Sequence, residues 1–280
     1  MTFDYIVAKK DDGRQLGEFL SDCGLSHRLI TSLKRTVNGM TVNGERAKTI
    51  AVLHEGDKVC INLPEDKTEI EPNGELCAPI VFEDEHIVVF DKPASMPCHP
   101  SIKHRLDTLA NYFSFLYPDK TFRCINRLDR DTSGLCICAK DSFAATALSK
   151  CVEKTYFAAV CGVVLSGGTI DAPIAREQES IIIRCVREDG QRAVTHYKPI
   201  RHSNRHTLLE INLETGRTHQ IRVHMAHIGH PLAGDGLYGG DASLERQGLH
   251  CGRLEFVHPI TKEKVELFAP LPKDIEGLFG

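Results

Sequence analysis

The sequence predicts an α+β protein: a mixed, mainly antiparallel sheet flanked by helices, with a small α/β module in front of it. Three observations lead there. Strand-like apolar runs outnumber helical ones, and many are joined by short turns, which disfavours a repeated parallel βαβ pattern. A length of 280 residues with 41% apolar composition allows one large domain, or a small one plus a larger one. Charge is also uneven: residues 14–48 hold six basic side chains (Arg14, Arg28, Lys34, Arg35, Arg46, Lys48) against three acidic ones (Glu18, Asp22, Glu45), whereas 57–85 is mostly acidic. The expected division is a module at 12–63, a linker at 64–78 and a larger domain at 79–280.

In chain order, Leu16, Phe19 and Leu20 recur at helical spacing. A second helix follows Gly24, with Ser26 as N-cap and Leu29, Ile30 and Leu33 as its apolar face. Asn38-Gly39 and Asn43-Gly44 mark turns around extended pieces at 40–42 and 50–53, and Glu55-Gly56-Asp57 leads into a strand at 58–63. Pro64, Pro72, Asn73-Gly74 and Pro79 punctuate a stretch without periodicity, the linker. Strands are expected at 80–82 and 86–90, then a proline-rich loop from Asp91-Lys92-Pro93, a helix through Leu109, Phe113 and Leu116, and an extended piece at 122–125. A strand at 135–139, a helix at 142–152 capped by Asp141, and strands at 155–161, 181–186, 193–197 and 207–213 follow. Thr218 is expected to cap a helix with Ile221, Met225 and Ile228 on its apolar side, stopped by Gly229 and Pro231. On it Arg222 shares a side with His219, so its guanidinium can enter a cleft. Lys262-Glu263-Lys264 reads as a hairpin tip.

No window approaches 18 uninterrupted apolar residues and the first dozen lack a signal-peptide core, so a cytoplasmic protein without a membrane partner is expected. Eleven cysteines form no CxxC pair, and Cys60, Cys124, Cys136, Cys138 and Cys161 sit in apolar runs, as reduced buried thiols do. A formal net charge of −4 argues against a protein that coats nucleic acid, but leaves a local basic cleft open.

The most informative stretch is 126–134, where Arg127, Asp129, Arg130 and Asp131 crowd into five positions ahead of a buried strand. A desolvated charge there costs several kcal/mol unless it is paired. An aspartate in such a turn can bind metal, transfer protons, attack as a nucleophile, or simply staple the turn. For attack it must stay ionised, and a neighbouring arginine lowers a carboxyl pKa by about 1 to 3. Arg127 and Arg130 are local candidates and Arg222 a distant one. His219, His224, His227 and His230 invite a zinc reading, but no nearby Cys or Glu completes a site on that helix, so no metal is expected. Residues 234–239 match GxGxxG formally, yet follow a helix instead of a strand and read as a turn-rich loop.

Four stretches in order resemble the RluA-type pseudouridine synthases: Asp91-Lys92-Pro93 with His99-Pro100; Arg127 to Leu135; Lys154-Thr155-Tyr156 with Gly162; and Thr215 to His224 with Gly234-Asp235 and Tyr238-Gly239. The resemblance spans nearly all of 80–272. It implies that Asp129 is the catalytic aspartate, Tyr156 the aromatic residue stacked on the target uracil, and Arg222 the ion-pair partner of Asp129. Arg127 would fill the space left by a flipped nucleotide, and Arg217 and His219 would contact RNA. Asn126 departs from the histidine more often found there. Gly24-Leu25-Ser26 with Arg28, Lys34-Arg35, Val42-Asn43-Gly44 and Glu55-Gly56-Asp57 resemble the RNA-binding module of the fourth small-subunit ribosomal protein, which implies RNA contacts by Arg28, Lys34 and Arg35. Gln15-Leu16-Gly17 departs from that module's usual Leu-Asp pair. The function implied is cofactor-independent isomerisation of uridine in structured RNA by a monomer, with large-subunit ribosomal RNA ahead of tRNA. A non-catalytic RNA-binding or ribosome-assembly factor is the rival of another class, and a metal-dependent hydrolase would rest on the histidines alone. Intact Asp129, Tyr156 and Arg222 favour the enzyme.

Overall fold

The computed structural model describes residues 2–63, 70–149, 151–178 and 182–280, without the side chain of Arg28. The first part of the expected linker, 64–69, and the first residue of the strand expected at 181–186 therefore lie outside the described residues.

At the N-terminus, β1 (Thr2–Ile6), α1 (Leu16–Asp22), α2 (His27–Arg35), β2 (Met40–Val42), β3 (Glu45–Arg46) and β4 (Lys58–Asn62) follow one another. The strands form a sheet in the order β1-β4-β2-β3. Leu16, Phe19, Leu20, Leu29, Ile30 and Leu33 are buried against Met40, Val59 and Ile61, as the helical spacing requires. Ser26 caps α2 by accepting from the Leu29 amide at 3.2 Å. Asn43 and Gly44 both have positive φ, 53° and 85°, the signature of a tight hairpin turn between β2 and β3. The extended piece expected at 50–53 is not a strand. Instead, Thr49 O and Ala51 O accept from the Gly17 and Leu16 amides, groups that a helix start leaves without intrahelical partners. The strand at 2–6 has little signal in the sequence, where Asp4 interrupts a short run.

The larger part contains β5 (Ile80–Glu83), β6 (Ile87–Lys92), α3 (Leu109–Leu116), β7 (Arg123–Cys124), β8 (Ser133–Ala139), α4 (Ser142–Leu148) and β9 (Glu153–Cys161). Then come β10 (Gly168–Asp171), β11 (Ile174–Arg176), β12 (Arg184–Val186), β13 (Val194–His202), β14 (His206–Leu213), α5 (Gln220–His227), β15 (Leu249–Val257), β16 (Lys264–Phe268) and α6 (Lys273–Glu276). Among the described residues ten strands make one sheet, β10-β13-β14-β9-β15-β8-β6-β5, with β16 on β15 and β7 on β8; β11 and β12 pair separately. Among the described residues β8 and β15 form its parallel contact, and the other pairs are antiparallel. The fold is thus the mixed, mainly antiparallel α+β class expected. Ile87 to Phe90 and Leu135 to Ala139 are wholly buried, so these central strands are covered on both faces.

Several boundaries move. The strand expected at 181–186 starts only at Arg184, because its partner β11 ends at Arg176, opposite that residue. α4 stops at Leu148 and not at 152, because the chain must turn to bring Glu153 opposite Glu255 on β15. β13 runs on to His202 through a bulge next to Pro199, which has no amide to donate to the ladder. The cap of α5 is His219 in the left-handed region, φ 58°, and not Thr218. Phe143 of α4 belongs to the core of the N-terminal sheet and packs on Phe3, ring centroids 4.8 Å apart. All eleven cysteines are free thiols. No helix among the described residues is long and apolar enough to cross a membrane.

Candidate active site

The loop between β7 and β8 carries Asp129, and several anchors fix its path. Asn126 is buried; its side chain donates to Leu135 O at 2.9 Å and accepts from the Ile137 amide at 2.8 Å, clipping the loop's start to β8. Thr132 N donates to Asp129 O at 3.1 Å, closing the turn. Gln247 reaches Thr132 Oγ1, Arg246 reaches Asp131 O at 3.2 Å, and His250 Nδ1 meets Ser133 Oγ at 3.0 Å, so residues at the start of β15 hold the loop's far end. From below, the fully buried Lys92 ammonium donates to Pro93 O and Met96 O at 2.8 Å and to Arg130 O at 3.1 Å. Arg130 is taken up by its neighbour Asp131 in a two-pronged pair, both contacts 2.9 Å.

Those anchors leave Asp129 about one third exposed at a cleft lined by Arg127, Leu128, Thr132, Tyr156, Leu213, Arg217, His219, Arg222 and Leu249. Of the residues singled out in the sequence, the structure therefore gathers Asp129, Tyr156, Arg222, Arg127, Arg217 and His219 around one opening. Lys34 and Arg35 stand apart on α2, exposed, and the side chain of Arg28 lies outside the described residues. Asp129 Oδ2 is 3.4 Å from Arg222 Nη1 and 3.8 Å from His219 Nε2. Arg222 makes its stronger contacts elsewhere: Nε and Nη2 donate to the two oxygens of buried Asp235 at 2.7 and 2.8 Å, in the fork geometry guanidinium favours. Asp235 was missed as a site residue because its glycine-rich loop reads as a turn. A buried acid requires a buried cation, but that burial is visible only in the structure; the one signal in the sequence was the place of Gly234-Asp235 in the last resembling stretch.

Tyr238, from the same loop, lies 5.0 Å under the Arg222 guanidinium, and its hydroxyl meets His219 Nδ1 at 2.8 Å. Burial lowers the His219 pKa, so the ring faces Asp129 as a neutral imidazole near pH 7. Gln220 fixes the start of α5: its carbonyl oxygen accepts from Thr215 Oγ1 and the Arg217 amide, and its amide donates to Val194 O and Thr195 Oγ1. Arg217 is exposed at the rim, with Nε on Arg192 O at 3.0 Å. Tyr156 sits mid-β9 between Ile211 and Cys251, 7% exposed, and burial raises its phenol well above the usual range, so it remains uncharged. The remaining α5-region histidines go to separate places: His224 to Thr195 and Ala172 O, His230 to Cys161 O.

Chemically, the cleft offers an accessible carboxylate with a guanidinium on one side and a neutral imidazole on another, over a wall of Tyr156, Leu213 and Leu249 that suits a flat ring. The family model for RNA pseudouridylate synthase matches residues 86–227. The RNA pseudouridine synthase YjbO of Bacillus subtilis is 40% identical over 93% of this chain and 96% of its own length. The ribosomal large subunit pseudouridine synthase D of Pseudomonas aeruginosa is 39% identical over 86% of this chain and 83% of its own. Among solved structures, human RNA pseudouridylate synthase domain containing 1 superposes with a TM-score of 0.58 at 27% identity, over 71% of this chain and 86% of that one. The chain belongs to the RNA pseudouridylate synthase family.

Proposed function

We propose that this enzyme converts uridine to pseudouridine in large-subunit ribosomal RNA, with Asp129 as the catalytic group. The observation that carries the reading is the placement of Asp129 at the mouth of a cleft floored by Tyr156 and flanked by Arg222 and His219. The reaction breaks the bond from C1′ to uracil N1, turns the base and joins C1′ to C5; the C5 proton leaves and N1 gains one, so nothing else enters or departs. The Asp129 carboxylate serves any of three routes, namely addition to the ring, attack on C1′, or assistance to elimination through a glycal, and each requires it ionised beside Arg222. The target base must leave its stack at a cost of a few kcal/mol, offset by stacking on Tyr156, by Arg127 filling the vacated space and by phosphate contacts from Arg217. The choice of ribosomal RNA rests on relatives named ribosomal large subunit pseudouridine synthase D.

The N-terminal unit fits the role of an RNA-binding module of the ribosomal-protein type, covering 12–63 with β1 added to its edge. Lys34 shares one groove with Arg46 and Lys48, while Arg35 shares another with Arg123 of the larger part. The enzyme would act as a monomer in the cytoplasm, the two parts together covering one RNA.

Tritium release from RNA labelled at uracil C5 tests the catalytic assignment. Asp129→Asn should lose at least about a thousandfold in turnover, the scale expected of a nucleophile or base, while melting at the wild-type temperature. Comparable turnover in a folded variant would refute the assignment. Pseudouridine maps of cellular RNA with and without the gene test the substrate: a lost site in large-subunit RNA supports the reading, and a lost site in tRNA replaces it.

A further inference from the structure

Beneath the catalytic loop three thiols converge. Cys136 Sγ lies 3.5 Å from Cys124 Sγ and 3.9 Å from Cys98 Sγ, and all three sulfurs fall within 4.8 Å of one another. Three sulfurs bound in a plane around one ion at about 2.3 Å would stand about 4.0 Å apart, so the observed triangle needs little movement to close on a metal. The three come from different elements: Cys98 from the loop after β6, Cys124 from β7 and Cys136 from β8. Cys98 and Cys136 are buried, and Cys124 is partly exposed as a residue.

Two further features suit an anionic centre. The Leu128 amide points at Cys98 Sγ, 3.3 Å away, a donor of the kind that steadies a metal-bound thiolate. Lys92 is a fully buried cation that forms no ion pair among the described residues; its ammonium is satisfied by carbonyls alone. Burial disfavours that charge, and Cys98 and Cys136 are the groups whose ionised forms most offset it. A thiolate complex would supply the missing counter-charge.

We propose that Cys98, Cys124 and Cys136 form a three-thiolate site for a soft monovalent ion of the copper(I) class. Thiolates select soft ions, and among the described residues no histidine or carboxylate joins the mutually close set; Cys138, paired opposite Cys124 and beside Cys136, stays outside it, which leaves three ligands and disfavours tetrahedral zinc. On binding, three S–H bonds give up their protons to solvent and three S–Cu bonds form, with no change of oxidation state. Without the ion the thiols are inert. For Cys98, a contact with Cys124 that favours the thiolate is outweighed by Cys136 and burial, which push it up to about 12. The thiols now donate to Asn126 O and Leu128 O, so an occupied site would draw on the backbone that leads to Asp129.

The test uses the full chain, reduced under argon, with copper(I) supplied as its acetonitrile complex against the chelator bicinchoninate, and needs no RNA. One ion per chain should resist the chelator, and X-ray absorption should show three sulfur neighbours. Cys136→Ala and Cys98→Ala, checked as folded by circular dichroism, should each weaken retention by at least about a hundredfold. The double variant Cys77→Ser with Cys151→Ser, which removes the two exposed thiols, should keep the ion. The proposal fails if wild type retains no ion, if the sulfur shell numbers two or four, if retention follows the exposed thiols, or if copper merely leaves a disulfide two mass units lighter. The absorption result on wild type decides the matter even where an alanine variant does not fold.

Discussion

Arg222 serves two carboxylates unequally. Asp235, with 1% of its side chain exposed, takes the fork contacts, and Asp129 is left with a single long one. The buried cation is therefore neutralised by Asp235, and Asp129 is free to approach a substrate atom instead of being held in a tight pair. Asp235→Asn should remove that neutralisation and leave Arg222 half-paired in a dry site. A loss of about 3 kcal/mol is expected, the scale seen when one member of a buried pair is removed. Urea unfolding would measure it, and turnover should fall as well because Arg222 drifts from Asp129. Unchanged stability would mean that water or Asp129 already carries the guanidinium. At this scale the residues alone offered Arg222 as one of three candidate partners, and only the resemblance singled it out, because 93 residues separate it from Asp129. Asp235 was hidden for a different reason: short polar turns and buried acidic anchors look alike until the partner's position is known.

The strand-to-strand contact between β8 and β15 sets the height of the catalytic loop. Gly134 has φ 110°, and a Cβ placed there would lie 2.3 Å from Cys251 O, so both the torsion and the close approach demand glycine. Gly134→Ala should cost at least about 3 kcal/mol, combining left-handed strain with a backbone clash, since strain alone reaches about 1–3 kcal/mol. It should lower turnover more than a surface change of equal size, because Ser133 and Thr132 move with it. The neighbouring His250 makes the same junction sensitive to acid. Burial depresses its pKa to about 4 in the folded protein, against about 6.5 unfolded. Between those values the unfolded chain binds the extra proton, so this contribution is intact above about pH 6.5 and is lost as pH falls toward 4, reaching about 3 kcal/mol at full depth. His250→Gln should flatten the melting temperature across that window; an equally steep profile would assign the acid sensitivity elsewhere. Periodicity made most elements legible, since β6, β8, β9 and α1 to α3 bury clean apolar sets. β15 and β16 were not, because Arg253, Glu255, Lys264 and Glu266 interrupt them. Those charges pair across the hairpin, Lys264 with Glu255 at 2.6 Å and Arg253 with Glu266, and that pairing appears only once the strands are side by side.

At the level of the whole molecule, the aromatic seam of Phe3 and Phe143 joins the N-terminal sheet to α4, so any RNA held by the module is held at a set orientation to the cleft. Charge on the module is divided between engaged and available groups. Arg14 is spent on Asp11 and Asp22, at 2.9 and 2.8 Å, whereas Lys34 and Arg35 are exposed at the end of α2. If the latter two neutralise phosphates, each releases counterions and steepens the fall of affinity with salt by about 0.7 to 0.9 in the log–log slope. Replacing both with alanine should reduce that slope by about 1.4 to 1.8, weaken RNA binding at low salt, and leave turnover at saturating RNA near the wild-type value, because neither residue touches the cleft. Arg14→Ala should leave the slope unchanged. Nitrocellulose-filter titrations of the same RNA from 50 to 300 mM salt would decide between them. Equal slopes in wild type and the Lys34, Arg35 double variant would remove α2 from the RNA surface and return the module to a purely structural part of the fold.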